Sequence, residues 1–303
     1  MKIERETGGP FVLSQMTQYF GGWPALGRDE KAIVITFPVE GWQNSAAVVV
    51  RQDDAEKISG EVICDDGHAQ AAWQQALATL SLDYDGAGWG ALGRKDSLIG
   101  PLQATYGPLR PVLFHSPYEA AAAFIIGHRL SVRQGRAIRL AMSREYGDKI
   151  QVGDEDFHAF PRPQVLGKLT SIKGVSPTKI PRLHGVAEAA LEGWLDRAAL
   201  RSMREEAALE KLCALKGIGG FFSQGILYRG AGLADAVPDD EMTRQAFQKA
   251  FDLPALPDRE KVLQLAEPWR PFRMWATVLL HVWFRGEEGG PKRPDSRSRV
   301  KKA

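Results

Sequence analysis

Two β-branched runs, AIVITFPV at 32–39 and SAAVVVRQ at 45–52, flank the turn-forming EGWQN and predict an antiparallel pair of strands. KISGEVICD at 57–65 alternates more loosely and predicts a third strand. HAQAAWQQALATL at 68–80 has helical spacing, and SLDYD and GAGWG after it read as strand and loop. Near residue 115 the period changes. Ser116 is a candidate N-cap, Pro117 suits the first helical position, and Glu119 stands three residues after Ser116, as a capping box requires. Ala122, Ile125, Ile126 and Leu130 continue at helical spacing. Further helices are predicted around 163–172, 177–198, 203–215, 221–231, 240–251, 258–266 and 271–285. The expected fold class is α+β: an N-terminal α+β domain with an antiparallel sheet over 1–110, then an all-α domain over 111–286. The tail over 287–303 holds Gly, Pro, Ser and six Lys/Arg after Gly290 against Asp295, and is expected to be a disordered, solvated basic tail.

Composition narrows the function classes. The chain is 44% hydrophobic and 25% charged, with a formal net charge of +2, an ordinary globular balance. Any surface for a polyanion must therefore be local. Cys64 and Cys213 form no CxxC, which excludes a zinc ribbon or a four-cysteine iron–sulfur cluster; both are expected to be buried, inert thiols. The start lacks an apolar leader, and the greasy run 274–284 is shorter than the ~20 residues that a membrane span needs, so the expected location is cytoplasmic, away from membranes. His128 and His281 read as hydrogen-bonded helix residues. Trp23 and Trp42 read as surface tryptophans without a role.

The stretch LEKLCALKGIGGFFSQGILYRGAG at 209–232 is the most informative. Leu209, Leu212, Leu215 and Ile218 suit a helix that ends in a turn. Gly217, Gly219 and Gly220 permit left-handed backbone there and leave the main chain open. A second helix begins near Phe221, so backbone N–H groups point outward where an anion can sit. A plain glycine-rich helix–helix turn has the same pattern. Next comes GLADAVPDDEMTRQAF at 232–247. Asp239 and Asp240 precede an amphipathic helix, where capping is the usual role of Asp; capping and catalysis are compatible.

Together these two segments resemble the helix-hairpin-helix superfamily of DNA base-excision glycosylases. HSPYEAAAAFIIGHRLSVRQG, HAFPRPQVL, LHGVAEAALEGWL and WRPFRMWATVLLHVWF resemble helices of the bacterial 3-methyladenine DNA glycosylase II family, so the resemblance spans roughly 110–285. It implies that the all-α unit is a helix-hairpin-helix glycosylase domain and that Asp240 is catalytic, with Asp239 as the alternative if the register is off by one. Breaking an N-glycosidic bond builds positive charge on the sugar, which a fixed carboxylate stabilises. DNA contacts are expected from Gly217, Ile218, Gly219, Gly220, Ser223 and Arg244. A wedge is expected at Arg129, with His128 and Leu130 beside it; a surface arginine on a helix is the plain alternative. Phe221, Phe222, Gly225, Trp275 and Trp283 are the candidate base pocket, although core packing equally explains Trp269, Phe272 and Trp275. Gly225 and Glu241 stand where the family has tyrosines, which implies a wider or more polar pocket. Arg273 has two open roles, structural or in contact with the site.

Bifunctional relatives carry a Schiff-base lysine at the position of Phe221, so the resemblance implies a monofunctional hydrolase without lyase activity. It also implies a Na+ or K+ ion on the main-chain carbonyls of Cys213, Leu215 and Ile218, no organic cofactor, double-stranded DNA with alkylated bases as partner, and a monomer without an obligate protein partner. Two alternatives stay open: a glycosylase for deaminated or oxidised bases, and a non-catalytic helix-hairpin-helix DNA-binding protein.

Overall fold

A computed structural model describes residues 1–20, 25–26, 29–52, 54–65 and 67–287. The expectations for Trp23 and the basic tail lie outside these residues. The chain opens with β1 (Lys2–Glu6), α1 (Leu13–Phe20), β2 (Ala25–Leu26), β3 (Asp29–Pro38), β4 (Ser45–Arg51) and β5 (Lys57–Ile63). The strands form one antiparallel sheet in the order β1-β5-β4-β3-β2. Then follow α2 (Ala69–Thr79), α3 (Ala87–Lys95) and α4 (Ile99–Tyr106). Two expectations fail here. SLDYD is a turn rather than a strand, and the GAGWG stretch opens α3 rather than a loop. Trp89 is the reason: it lies fully buried against Phe272 and Trp275, and a helix delivers it there.

The helical half comprises α5 (Pro117–Gly127), α6 (Val132–Tyr146), α7 (Pro163–Leu166), α8 (Ile180–Leu191), α9 (Arg197–Ser202), α10 (Glu205–Cys213), α11 (Gly220–Gly225), a π-helical segment (Ile226–Ala231), α12 (Glu241–Ala250), α13 (Arg259–Ala266) and α14 (Arg273–Glu287). Between α6 and α7 stand two strands, β6 (Lys149–Val152) and β7 (Glu155–His158), paired with each other. The expected helix at 163–172 is one turn, ending at Gly167, and the helix at 177–198 breaks at Gly193, where φ is +79°. Ser116 accepts from Glu119 N at 3.1 Å, but Glu119 turns its carboxylate to His115 Nδ1 at 2.7 Å, so half of the capping box forms.

The unbroken apolar run of β4 follows from burial on both faces. Ile33, Ile35, Phe37, Val48 and Val50 join the main core with Trp73 and Leu77 of α2. Ala32, Val34, Ala47 and Val49 meet Val152 and Phe157 of the β6–β7 hairpin. β5, covered less completely, alternates. Trp42 is buried, not a surface residue: its Nε1 donates to Ala190 O at 3.0 Å and its ring packs edge-on to Tyr118.

The N-terminal half also holds the loop that leads to the site. Tyr84 Oη donates to Gly232 O at 2.9 Å, and Arg201 pairs with Asp83 while its Nε donates to Ala231 O at 2.7 Å. Arg110, fully buried, donates to the carbonyls of Thr7, Gly8, Pro10 and Ser81 and stacks over Phe11 and Trp275. Burial lowers its pKa to about 10, and the four carbonyls replace lost water. Among the described residues, no helix is long and apolar enough to cross a membrane.

Candidate active site

The hairpin between α10 and α11 is built by its glycines. Gly217 has φ +92°, and a Cβ there would lie 2.7 Å from Arg182 Cδ, so both conformation and space demand glycine. Ile218 turns its side chain into the core, and its N–H donates to Leu215 O at 3.0 Å. Gly219 and Gly220 are exposed, and a Cβ on either would meet nothing within 4 Å. A bulky anion can therefore approach this main chain. Ser223 corrects the expectation of a direct contact: it is buried, donates to Gly220 O at 2.9 Å and accepts from Cys213 Sγ at 3.4 Å. Its hydroxyl braces the turn from inside. Cys213 is exposed rather than buried, and Cys64 is half-buried.

One hydrogen bond ties the hairpin to the carboxylate pair: Asp239 N donates to Gln224 Oε1 at 3.0 Å. The two neighbouring aspartates then diverge. Asp239 is engaged by Arg244 through Nη2 at 2.5 Å and Nε at 3.2 Å, and by Arg259 at 3.7 Å. Arg244 is thereby committed to Asp239, which competes with the expected DNA contact. Asp240 is the N-cap of α12; its Oδ1 accepts Thr243 N at 2.8 Å, and it is half-buried. Behind it Thr243 Oγ1 meets His281 Nε2 at 3.0 Å. Desolvation, opposed by Asp240 and reinforced by Arg285 and Arg229, lowers the His281 pKa to about 4, so the ring is neutral near pH 7.

The loop bearing these aspartates is clamped at its other end. Arg273, buried, grips Asp235 with Nε–Oδ1 2.6 Å and Nη2–Oδ2 3.2 Å; Arg270 pairs with the same carboxylate, and Met274 N donates to Ala234 O at 3.0 Å. The open question about Arg273 resolves to a structural role.

The turn between α5 and α6 carries the expected wedge residues. Arg129 is exposed at its tip with φ +60°, a strained conformation for a non-glycine residue, and it lies on a turn rather than a helix. His128 is exposed and Leu130 half-buried. Lys179 Nζ holds the turn by donating to Ile126 O and His128 O, both at 2.8 Å, and Ser131 with Gln134 forms a full capping box at the start of α6. His128 lies edge-on to Phe222, centroids 5.7 Å apart.

An aromatic cluster adjoins this turn. Phe124 stacks obliquely on Phe222 at 5.2 Å and reaches Phe221 at 6.5 Å and Phe114 at 5.9 Å. Phe221 is 63% exposed. Sequence reasoning missed Phe124 and drew the wrong conclusion from Gly225. A Cβ on Gly225 would lie 2.2 Å from Phe124 Cζ. The space is not widened; a ring from α5 fills it. Trp275 also corrects an expectation. It is 1% exposed, packed among Trp89, Phe272 and Arg110, and offers no face to a base. Trp283 is half-buried, and the Lys249 ammonium stands 5.7 Å from its ring, a cation already in place.

No protein-family model matches the chain. A DNA-3-methyladenine glycosylase of Bacillus subtilis is 23% identical over 207 residues, 66% of this chain and 68% of its own. An alkylbase DNA glycosidase-like protein of Schizosaccharomyces pombe is 27% identical over 206 residues, 64% of this chain and 89% of its own. Among solved structures, a 3-methyladenine DNA glycosylase from Archaeoglobus fulgidus superposes with a TM-score of 0.74 at 19% identity, covering 94% of this chain and 98% of that one. A Clostridium acetobutylicum 8-oxoguanine glycosylase/lyase, in complex with double-stranded DNA, superposes at 0.66 with 14% identity, covering 95% and 98%.

Proposed function

We propose, starting from a chain that has the fold of the helix-hairpin-helix glycosylases and is related in sequence to DNA-3-methyladenine glycosylases, that it is a monofunctional DNA glycosylase for alkylated bases. The observation that carries this reading is the contrast at 239–240: Asp239 is consumed by two arginines, whereas Asp240 has only a capping bond and sits on a loop hydrogen-bonded to the hairpin helix.

In this reading the open backbone of Gly219 and Gly220 holds a DNA phosphate, with a monovalent cation on the carbonyls of Cys213, Leu215 and Ile218. Leu215 O already accepts one N–H and keeps a second lone pair, and the three residues lie on one tight turn. Arg129, presented by the strained turn, fills the gap left by an extruded nucleotide. The base stacks on the Phe124, Phe221 and Phe222 cluster. As the C1′–N bond breaks, the electron pair leaves with the base and Asp240 stabilises the sugar cation. Water adds at C1′ and gives up its proton through the same carboxylate. A base alkylated on a ring nitrogen is cationic and departs neutral, so no second acid is needed. Phe221 cannot form an imine, which supports hydrolysis without strand cleavage. Nothing in this scheme calls for a second protomer or an organic cofactor.

The test is base release from methylated duplex DNA. Wild type is expected to liberate free 3-methyladenine, and Asp240→Asn about a thousandfold less while still binding DNA. Equal release from both removes the catalytic assignment. Borohydride treatment during turnover is expected to trap no covalent adduct.

A further inference from the structure

Arg129 holds a left-handed conformation at the tip of the turn between α5 and α6, and such a residue persists only where its surroundings over-determine it. The turn leaves carbonyls at the end of α5 short of partners. In a continued helix Leu130 N would donate to Ile126 O; here it donates to Gly127 O at 2.9 Å. Lys179 supplies the missing donor. Its ammonium donates to Ile126 O and to His128 O, both at 2.8 Å, and brings a positive charge to the C-terminal end of α5. The two carbonyls stand on either side of Gly127, immediately ahead of Arg129. One side chain therefore fixes how the chain enters the tip, and the Ser131–Gln134 capping box fixes how it leaves. Lys179 ends the single 3-10 turn, Pro177–Lys179, that leads into α8. Arg182, one turn further on, lies against the hairpin: a Cβ on Gly217 would come within 2.7 Å of its Cδ and 3.2 Å of its Nε. The loop ahead of Lys179 packs on α6, where a Cβ on Gly174 would lie 3.1 Å from Ile138 Cγ1. The start of α8 and the loop before it thus touch the tip, α6 and the hairpin together.

We propose that Lys179 is a positioning residue for base extrusion. By holding the carbonyls of Ile126 and His128 it keeps the Arg129 tip in register with the open backbone of Gly219 and Gly220, so that a duplex gripped at the hairpin meets the wedge side chain. The proposal rests on the glycosylase reading above, in which Arg129 fills the gap left by the extruded nucleotide. Lys179 acts through Arg129 and not on the base or the sugar. Without its ammonium the tip relaxes from the left-handed conformation, and only a fraction of molecules stays competent to insert. The grip on undamaged duplex depends on the hairpin and survives. A guanidinium at position 179 can still donate to two carbonyls at once, whereas an isosteric apolar chain can donate to neither.

The experiment compares the full-length chain with Lys179→Met, Lys179→Arg, Arg129→Ala and the double variant Lys179→Met/Arg129→Ala. The probe is a duplex with an uncleavable tetrahydrofuran site and 2-aminopurine as its neighbour, whose fluorescence reads insertion into the gap. Affinity for undamaged duplex and single-turnover base release from methylated duplex are measured alongside. Lys179→Met is expected to lose most of the fluorescence change and to slow base release about tenfold. Its affinity for undamaged duplex is expected to stay within about twofold of wild type. Lys179→Arg is expected to restore much of the signal, and the double variant to be no worse than the poorer single one. If Lys179→Met fails to fold, Lys179→Gln is expected to show the same pattern in milder form. Equal weakening on undamaged duplex would make Lys179 a phosphate contact and overturn the proposal. Multiplied losses in the double variant, or an unchanged fluorescence signal in Lys179→Met, would overturn it too; base release by wild type but not by Asp240→Asn would then leave the glycosylase reading standing. No base release from wild type, with the gap signal still lost in Lys179→Met, would remove the glycosylase reading and keep the role of Lys179 at the tip.

Discussion

Two regions of the candidate site are built on opposite principles. Around the loop that carries Asp239 and Asp240, charges are paired: Asp235 holds Arg270 and Arg273, Asp239 holds Arg244 and Arg259, and Glu205 accepts from Tyr228 Oη at 2.5 Å. Around the aromatic cluster and the turn between α5 and α6, Phe221 is exposed, Arg129 is strained and exposed, and Arg229 lacks a carboxylate among the described residues. Paired groups hold a shape, and exposed groups stay open to solvent and to a partner. Asp240 is the exception in the first region, and that is what distinguishes it from its neighbour.

Substitutions can break or sharpen this contrast. The largest effect is expected from comparing adjacent carboxylates. Asp240→Asn is expected to cost about 4 kcal/mol in transition-state stabilisation, the energy equivalent of a thousandfold rate loss, with little change in Tm. Asp239→Asn is expected to lower Tm and to leave activity within about tenfold. The reverse pattern in kcat and thermal melts would exchange their roles. Next, Arg273→Ala removes a buried guanidinium from Asp235, which keeps Arg270, and is expected to destabilise by about 2 kcal/mol, read by urea denaturation. Phe221→Ala, in the exposed aromatic cluster, is expected to weaken binding of lesion-containing DNA by about 1–2 kcal/mol without moving Tm; a large Tm loss would make it a scaffold residue.

The last test reads a pH dependence. Folding depresses the His281 pKa from 6.5 to about 4, so the unfolded chain binds the extra proton between those values. The stability this ring contributes is complete above about pH 6.5 and is lost as pH falls toward about 4. His281→Gln is expected to flatten that part of the stability–pH curve.

Some of the site was legible in the sequence because the backbone itself constrains residue choice. A left-handed turn requires Gly217, and a helix start beside a carboxylate loop selects Asp240. Strands 32–39 and 45–52 were legible for a similar reason, since burial on both faces leaves continuous β-branched runs. α6 was not read, because of its fifteen residues only Gly135 and Met142 are fully buried, and an apolar stripe so thin gives little period. Phe124 was missed because its value depends on Gly225, about a hundred positions away on another helix. Trp275 was misassigned because an aromatic stripe looks the same whether it faces a ligand or a core; only its packing against Trp89 decides.

The Phe124–Gly225 contact couples two helices that are distant in sequence. A ring donated by α5 lies where a side chain on α11 would have to stand. Enlarging Gly225 alone should therefore collide with that ring, and a tolerated exchange would require a smaller residue at 124 together with the larger one at 225.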